Sequence, residues 1–95
     1  MAFVYLLRCA DGSLYCGWTV DLERRLAAHA AGRASRYTAS RRPVAPAAAW
    51  AVPTRTDARR LEVRVKRLTR ARKLKLLGGT PPEGATAVRF SPLRP

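Results

Sequence analysis

Two short apolar runs, residues 3–9 and 14–18, flank Ala10-Asp11-Gly12-Ser13 near the N-terminus. An Asp-Gly pair between apolar runs is a strong short-range signal for a β-hairpin, because glycine readily takes the positive φ such turns need. A helix is expected at once after it, over residues 21–31. Asp21 can cap its first turn, Glu23 suits the positive end of its dipole, and Leu22, Leu26 and Ala30 recur every four residues. The rest of the chain has to pack against this hairpin and helix.

Loop length decides which hairpin side chains share a face. A two-residue turn at Asp11-Gly12 sets Arg8 opposite Tyr15, and Tyr5 and Tyr15 then face opposite ways. A three-residue loop, Ala10-Asp11-Gly12 with Gly12 in a left-handed bulge, sets Leu7 opposite Tyr15 and Tyr5 opposite Gly17. Both phenols then lie on one face as diagonal neighbours, roughly 7–8 Å apart at the backbone. Gly17, with no side chain, leaves open space beside them. The odd loop is the one we expect. In that register Phe3, Leu7 and Cys9 lie on one face, and Val4, Leu6, Leu14, Cys16 and Trp18 on the other. A sheet apolar on both sides needs cover on both sides.

Further along, Gly32 is expected to end the first helix, on which Arg25 and His29 stand four apart and project from one face. A short helical turn is expected over 35–40. Pro43 and Pro46 force extension before residues 47–52, where alanine is a poor strand former. Thr54 or Thr56 can cap a long helix whose buried stripe is Ala58, Leu61, Val65 and Leu68. Thr69 can open a shorter helix to Leu77, ended by Gly78-Gly79. Residues 80–95 hold four of the seven prolines and read as an extended tail, with residues 88–90 able to dock or add an edge strand. One domain over 1–79 and a Pro-rich tail over 80–95 are therefore expected.

Charge narrows the partners. The 95 residues carry 19 Lys plus Arg against 6 Asp plus Glu, a net charge of +13. Such a field favours polyanions, either nucleic acid or an anionic membrane surface. No apolar run approaches a membrane span, and the N-terminus does not read as a signal peptide, so a cytoplasmic protein is expected. Ninety-five residues allow a single modest core. In the odd-loop hairpin Cys9 and Cys16 diverge, so both read as reduced, buried thiols rather than a disulfide. One His and two diverging Cys are too few for a metal centre of that kind.

Between Arg24 and Lys75 stand sixteen positive residues and only two acids, Asp57 and Glu62. Asp57 suits a helix N-terminus. Glu62 sits mid-helix beside the apolar stripe, where a carboxylate needs a compensating cation. Two partners are open to it: one of the many arginines, or a Mg²⁺-like ion that keeps most of its waters. Taken singly, Tyr5 and Tyr15 read as core aromatics, Arg25 as a solvated or phosphate-positioning residue, and His29 as a helix-surface residue.

As a set, Val4-Tyr5, Tyr15-Cys16-Gly17, Arg25, His29, Tyr37, Arg41-Arg42-Pro43 and Glu62 resemble the GIY-YIG endonuclease superfamily, in its small, stand-alone bacterial branch. The resemblance runs to about Leu77. It implies an α/β (α+β) fold: a three-stranded, mainly antiparallel sheet with about four helices over both faces, residues 47–52 forming the third strand. It also implies hydrolysis of phosphodiester bonds in DNA, more than RNA, assisted by one divalent ion, Mg²⁺ or Mn²⁺. Tyr5 or Tyr15 would accept a proton, Arg25 would stabilise phosphoryl charge, His29 would assist, and Glu62 would hold the metal. Gly17 is the glycine of the second triplet. Arg33, Arg36, Tyr37, Arg41, Arg42, Arg59, Arg64, Arg67, Arg70 and Lys73 are the expected nucleic-acid contacts, and a monomer is expected. Some positions depart from the pattern: Phe3 replaces the family's first glycine and Cys16 its second isoleucine. Trp18 or Thr19 stands for a lysine of repair-nuclease relatives, and Lys73 or Leu74 lies near a missing asparagine. Two other readings remain, a catalytically idle nucleic-acid-binding module and a small ribosome-associated basic protein.

Overall fold

The computed structural model describes residues 1–89. Its elements run β1 (Ala2–Arg8), β2 (Leu14–Thr19), α1 (Leu22–Ala30), α2 (Arg36–Ala39), β3 (Ala45–Val52), α3 (Arg55–Lys66), α4 (Arg70–Leu76) and β4 (Thr86–Ala87). The sheet has the order β2-β1-β3-β4 and every neighbouring pair is antiparallel.

The hairpin takes the odd register, with Leu7 opposite Tyr15 and Tyr5 opposite Gly17. Cys9 N–H donates to the Ser13 carbonyl at 2.9 Å, leaving Ala10-Asp11-Gly12 as the loop. Gly12 takes φ 84°, where a side chain would be strained. Asp11 steadies the turn by accepting from the Ser13 backbone at 3.0 Å and hydroxyl at 2.6 Å.

The expected helix starts hold because each cap is a local event. Asp21, Ser35, Thr54 and Thr69 each accept an N–H of the first turn that follows. Alternation along β1 then sends Val4 and Leu6 to one face and Tyr5 and Leu7 to the other. On the first face Val4, Leu6, Cys16 and Trp50 bury against Ala58, Leu61 and Val65 of α3, with Leu76 and Leu77 at the margin. On the second, Tyr5, Leu7 and Ala49 pack against Leu22 and Leu26 of α1, with Val44 and Val88 alongside. Helices thus cover both faces. Leu68 lies past the end of α3 and is only half-buried.

One count needs correcting. Among the described residues the sheet has four strands rather than three, because Thr86 and Ala87, inside the stretch read as a tail, pair with Ala51 and Trp50. Val88 N–H also donates to the Ala49 carbonyl at 2.9 Å. Two exposed residues leave no periodicity to read, and the free edge of β3 recruits them by backbone pairing alone. Phe90 lies outside the described residues. β3 itself begins at Ala45, two residues before the expected start, and bulges between its pairings Leu6–Ala48 and Leu7–Pro46. Proline has no N–H to give a ladder, so a bulge is where it fits.

Candidate active site

The face of the sheet under α1 carries the polar groups. Tyr5 comes from β1, Tyr15 and Gly17 from β2, Arg25 and His29 from α1, and Thr38 from α2. Because Tyr5 lies opposite Gly17, its phenol folds across the space a side chain would fill. A Cβ at Gly17 would meet the Tyr5 hydroxyl and lie 2.6 Å from its Cζ.

Tyr5 Oη meets His29 Nε2 at 2.7 Å, and His29 Nδ1 meets Thr38 Oγ1 at 2.8 Å. Ser35 Oγ completes the line, 2.9 Å from Thr38 Oγ1. Tyr5 and His29 are each 1% exposed and Thr38 is fully buried. Burial pushes the Tyr5 phenol up to about 12, against the opposing pull of the exposed Arg25 guanidinium beside it. Burial, and then the Arg25 charge, holds the His29 imidazole below its ordinary value. Phenol and imidazole are therefore both neutral at pH 7.

The His29 shift has a stability consequence. Above about 6.5, its unfolded value, the group is neutral in both states and its contribution is complete. Below that the unfolded chain binds a proton the folded chain refuses, so stability falls as pH drops through the folded value. Denaturant unfolding across pH 5–7 should show this loss in the wild type and a flatter slope in His29→Gln; equal slopes would contradict it.

Tyr15 links this pair to the surface. Its ring meets His29 edge-on at 5.2 Å and stacks on Tyr37 at 5.7 Å. The Arg41 guanidinium lies 3.7 Å over the Tyr37 ring and pairs with Asp11 at 3.0 Å. Tyr37 and Arg41, expected as nucleic-acid contacts, thus brace Tyr15 from the hairpin loop. Arg70 donates to the Gly12 carbonyl at 2.6 Å and Arg42 to the Ala39 carbonyl at 3.0 Å. Arg33, Arg36, Arg59, Arg64 and Arg67 are exposed, and Lys73 is half-buried.

Glu62 stands apart. It lies on α3, which packs on the opposite face of the sheet, and the hydrogen bonds and ring contacts around Tyr5 and His29 do not include it. Its carboxylate is 3.6 Å from Lys66 Nζ, so the partner is a lysine one turn on. It also adds to the burial that pushes the Cys16 thiol up to about 12. Among the described residues no three His, Cys, Asp or Glu side chains gather for a metal. A lone carboxylate fits an ion that keeps most of its waters, as Mg²⁺ does, and not a protein cage. Both cysteines are free and buried.

Sequence reasoning did not assign Thr38, Ser35 or Asp11 to the site. Ser35-x-x-Thr38 carries a cap signal that points to Thr38 as the residue one helical turn inside. The Asp11–Arg41 pair, 30 residues apart, carries no local signal.

Residues 1–75 match the GIY-YIG catalytic domain, and the chain belongs to the GIY-YIG family. It is 44% identical over 86 residues to a UPF0213 protein of Halalkalibacterium halodurans, covering 88% of this chain and 92% of that one. It is 51% identical over 75 residues to a UPF0213 protein of Nitratidesulfovibrio vulgaris, covering 79% and 68% of the two. A solution NMR structure of a UPF0213 protein from Bacillus halodurans superposes with a TM-score of 0.54 at 43% identity, covering 82% of this chain and 84% of that one. The fold is thus a nuclease-family fold, and no helix among the described residues is long and apolar enough to cross a membrane.

Proposed function

We propose that this protein is an endonuclease that hydrolyses phosphodiester bonds in DNA with the help of one divalent ion. The observation that carries this reading is the buried Tyr5–His29 hydrogen bond at 2.7 Å with the exposed Arg25 guanidinium beside it.

Arg25 supplies fixed positive charge where a phosphoryl group gathers negative charge during attack by water. A Tyr5 phenolate is scarce with a pKa near 12, so Tyr5 is a poor base on its own. With His29 behind it, the phenol oxygen can take the water proton as its own proton moves to Nε2. Tyr5 then stays neutral. A phosphate against Arg25 cancels part of the charge that holds His29 down, so substrate binding itself makes the imidazole a better acceptor. Tyr15, braced by Tyr37, closes the other side of His29. Glu62 would hold Mg²⁺ or Mn²⁺, which when bound stabilises the leaving oxygen.

The exposed arginines of α1–α3 serve as phosphate contacts with little reading of bases. A binding module without turnover is favoured by one observation, the Lys66 ammonium already paired with Glu62. Incubation with single-stranded, duplex, flap and branched DNA under Mg²⁺, Mn²⁺ or EDTA separates the two. Metal-dependent cleavage is expected; binding without cleavage under every condition selects the module. Under either reading affinity falls steeply with salt, by a log–log slope of about 0.9 per phosphate neutralised. Changing Arg59, Arg64 and Arg67 together to Ala should flatten that slope, and an unchanged slope would remove α3 from the interface.

A further inference from the structure

The Tyr5–His29–Thr38–Ser35 line has a direction, and counting its hydrogens gives it. Tyr5 Oη has one hydrogen to donate, and its hydrogen-bonding partner among the described residues is His29 Nε2 at 2.7 Å. Its charged neighbour Arg25 can only donate. The phenol hydrogen therefore belongs on the line to Nε2, which must be bare to accept it. A neutral imidazole with a bare Nε2 carries its proton on Nδ1. That proton points to Thr38 Oγ1 at 2.8 Å. The Thr38 hydroxyl can accept it because its own hydrogen has other acceptors, Ser35 Oγ at 2.9 Å and the Ser35 carbonyl at 3.4 Å. Reversing the line, with the proton on Nε2, leaves the buried Tyr5 hydroxyl hydrogen without a protein acceptor among the described residues.

We propose that Thr38 is a positioning residue that fixes His29 in the Nδ1–H tautomer and so aims the Tyr5 proton at Nε2. The short helix α2 makes this stable. Ser35 Oγ accepts the Thr38 backbone N–H at 3.1 Å, locking the residue whose hydroxyl meets His29. Thr38 is fully buried, so no solvent competes for its oxygen. The consequence for cleavage rests on the nuclease reading; the tautomer itself does not.

The chain has a single histidine, so a long-range ¹H–¹⁵N correlation spectrum reports His29 alone. At neutral to mildly alkaline pH the wild type is expected to show a protonated Nδ1 and a bare Nε2. Thr38→Ser keeps the oxygen and should keep that pattern. Thr38→Val keeps the shape, removes the acceptor, and should shift the proton wholly or partly to Nε2. Where cleavage is measured, Thr38→Val should lower kcat by about tenfold or more with little change in KM, and Thr38→Ser should restore it. A wild-type spectrum with the proton on Nε2 overturns the proposal, as does a folded Thr38→Val protein with the wild-type pattern. If Thr38→Val does not fold, the wild-type spectrum still decides. A protein that cuts nothing but shows the Nδ1–H form retires the nuclease reading and leaves the tautomer assignment standing.

Discussion

Gly17→Ala is expected to destabilise the protein by about 1–3 kcal/mol, the range for forcing an extra methyl into a packed site. For a domain of this size that lowers Tm by roughly 5–20 °C. The new Cβ would lie 2.6 Å from Tyr5 Cζ, and Tyr5, 1% exposed, has no open side to move toward. The ring must shift, and the 2.7 Å hydrogen bond to His29 goes with it. Any cleavage should be lost at temperatures where the variant is still folded. Thermal melting beside the cleavage assay checks both parts. A Gly17→Ala protein that melts with the wild type would show that the hairpin yields at this point, and that Gly17 is not what seats Tyr5.

Glu62→Gln should have the opposite signature: a large loss of cleavage, on the order of a hundredfold or more, with almost no change in stability. Its cation partner in the structure is Lys66, whose side chain is 54% exposed, rather than a buried arginine. The Glu62 side chain is 18% exposed, but its partner lies mostly in solvent, and such an i,i+4 pair contributes only about 0.3–0.5 kcal/mol, so losing it leaves Tm nearly unchanged. DNA binding should persist or rise slightly, since one repelling carboxylate is gone. A stable Glu62→Gln protein that cuts as fast as wild type would remove the metal assignment. Early melting would mean the carboxylate holds the fold through contacts beyond Lys66.

Much of the hairpin and its helix is legible before folding. Asp11-Gly12 and the apolar runs around it mark the hairpin, and the odd register is the one that sets Tyr5 and Tyr15 on one face beside Gly17. Cap residues Asp21, Ser35, Thr54 and Thr69 act on N–H groups within three residues of themselves. The spacing of Ala58, Leu61 and Val65 marks the face that α3 buries. Arg25 and His29 could be paired because they are one helical turn apart.

Other parts of the site depend on contacts that no local pattern encodes. His29 reads as a surface residue by itself, yet α1 docks so that it is buried against Tyr5, Tyr15 and Thr38. The brace of Asp11 on Arg41, and of Arg41 on Tyr37, joins residues up to 30 apart. Glu62, on α3, has Cys16 and Lys66 as neighbours and makes no hydrogen bond to the Tyr5–His29 pair, a placement its spacing from the tyrosines does not encode. β4 forms because the edge of β3 has unpaired backbone groups, a property of the assembled sheet and not of Thr86 and Ala87. Local chemistry acts through bonds and turns a few residues long, so the amino-acid order alone settles hairpin, caps and helix faces. Which polar groups end up within 3 Å of one another is a matter of how those elements pack, and only the tertiary structure settles it.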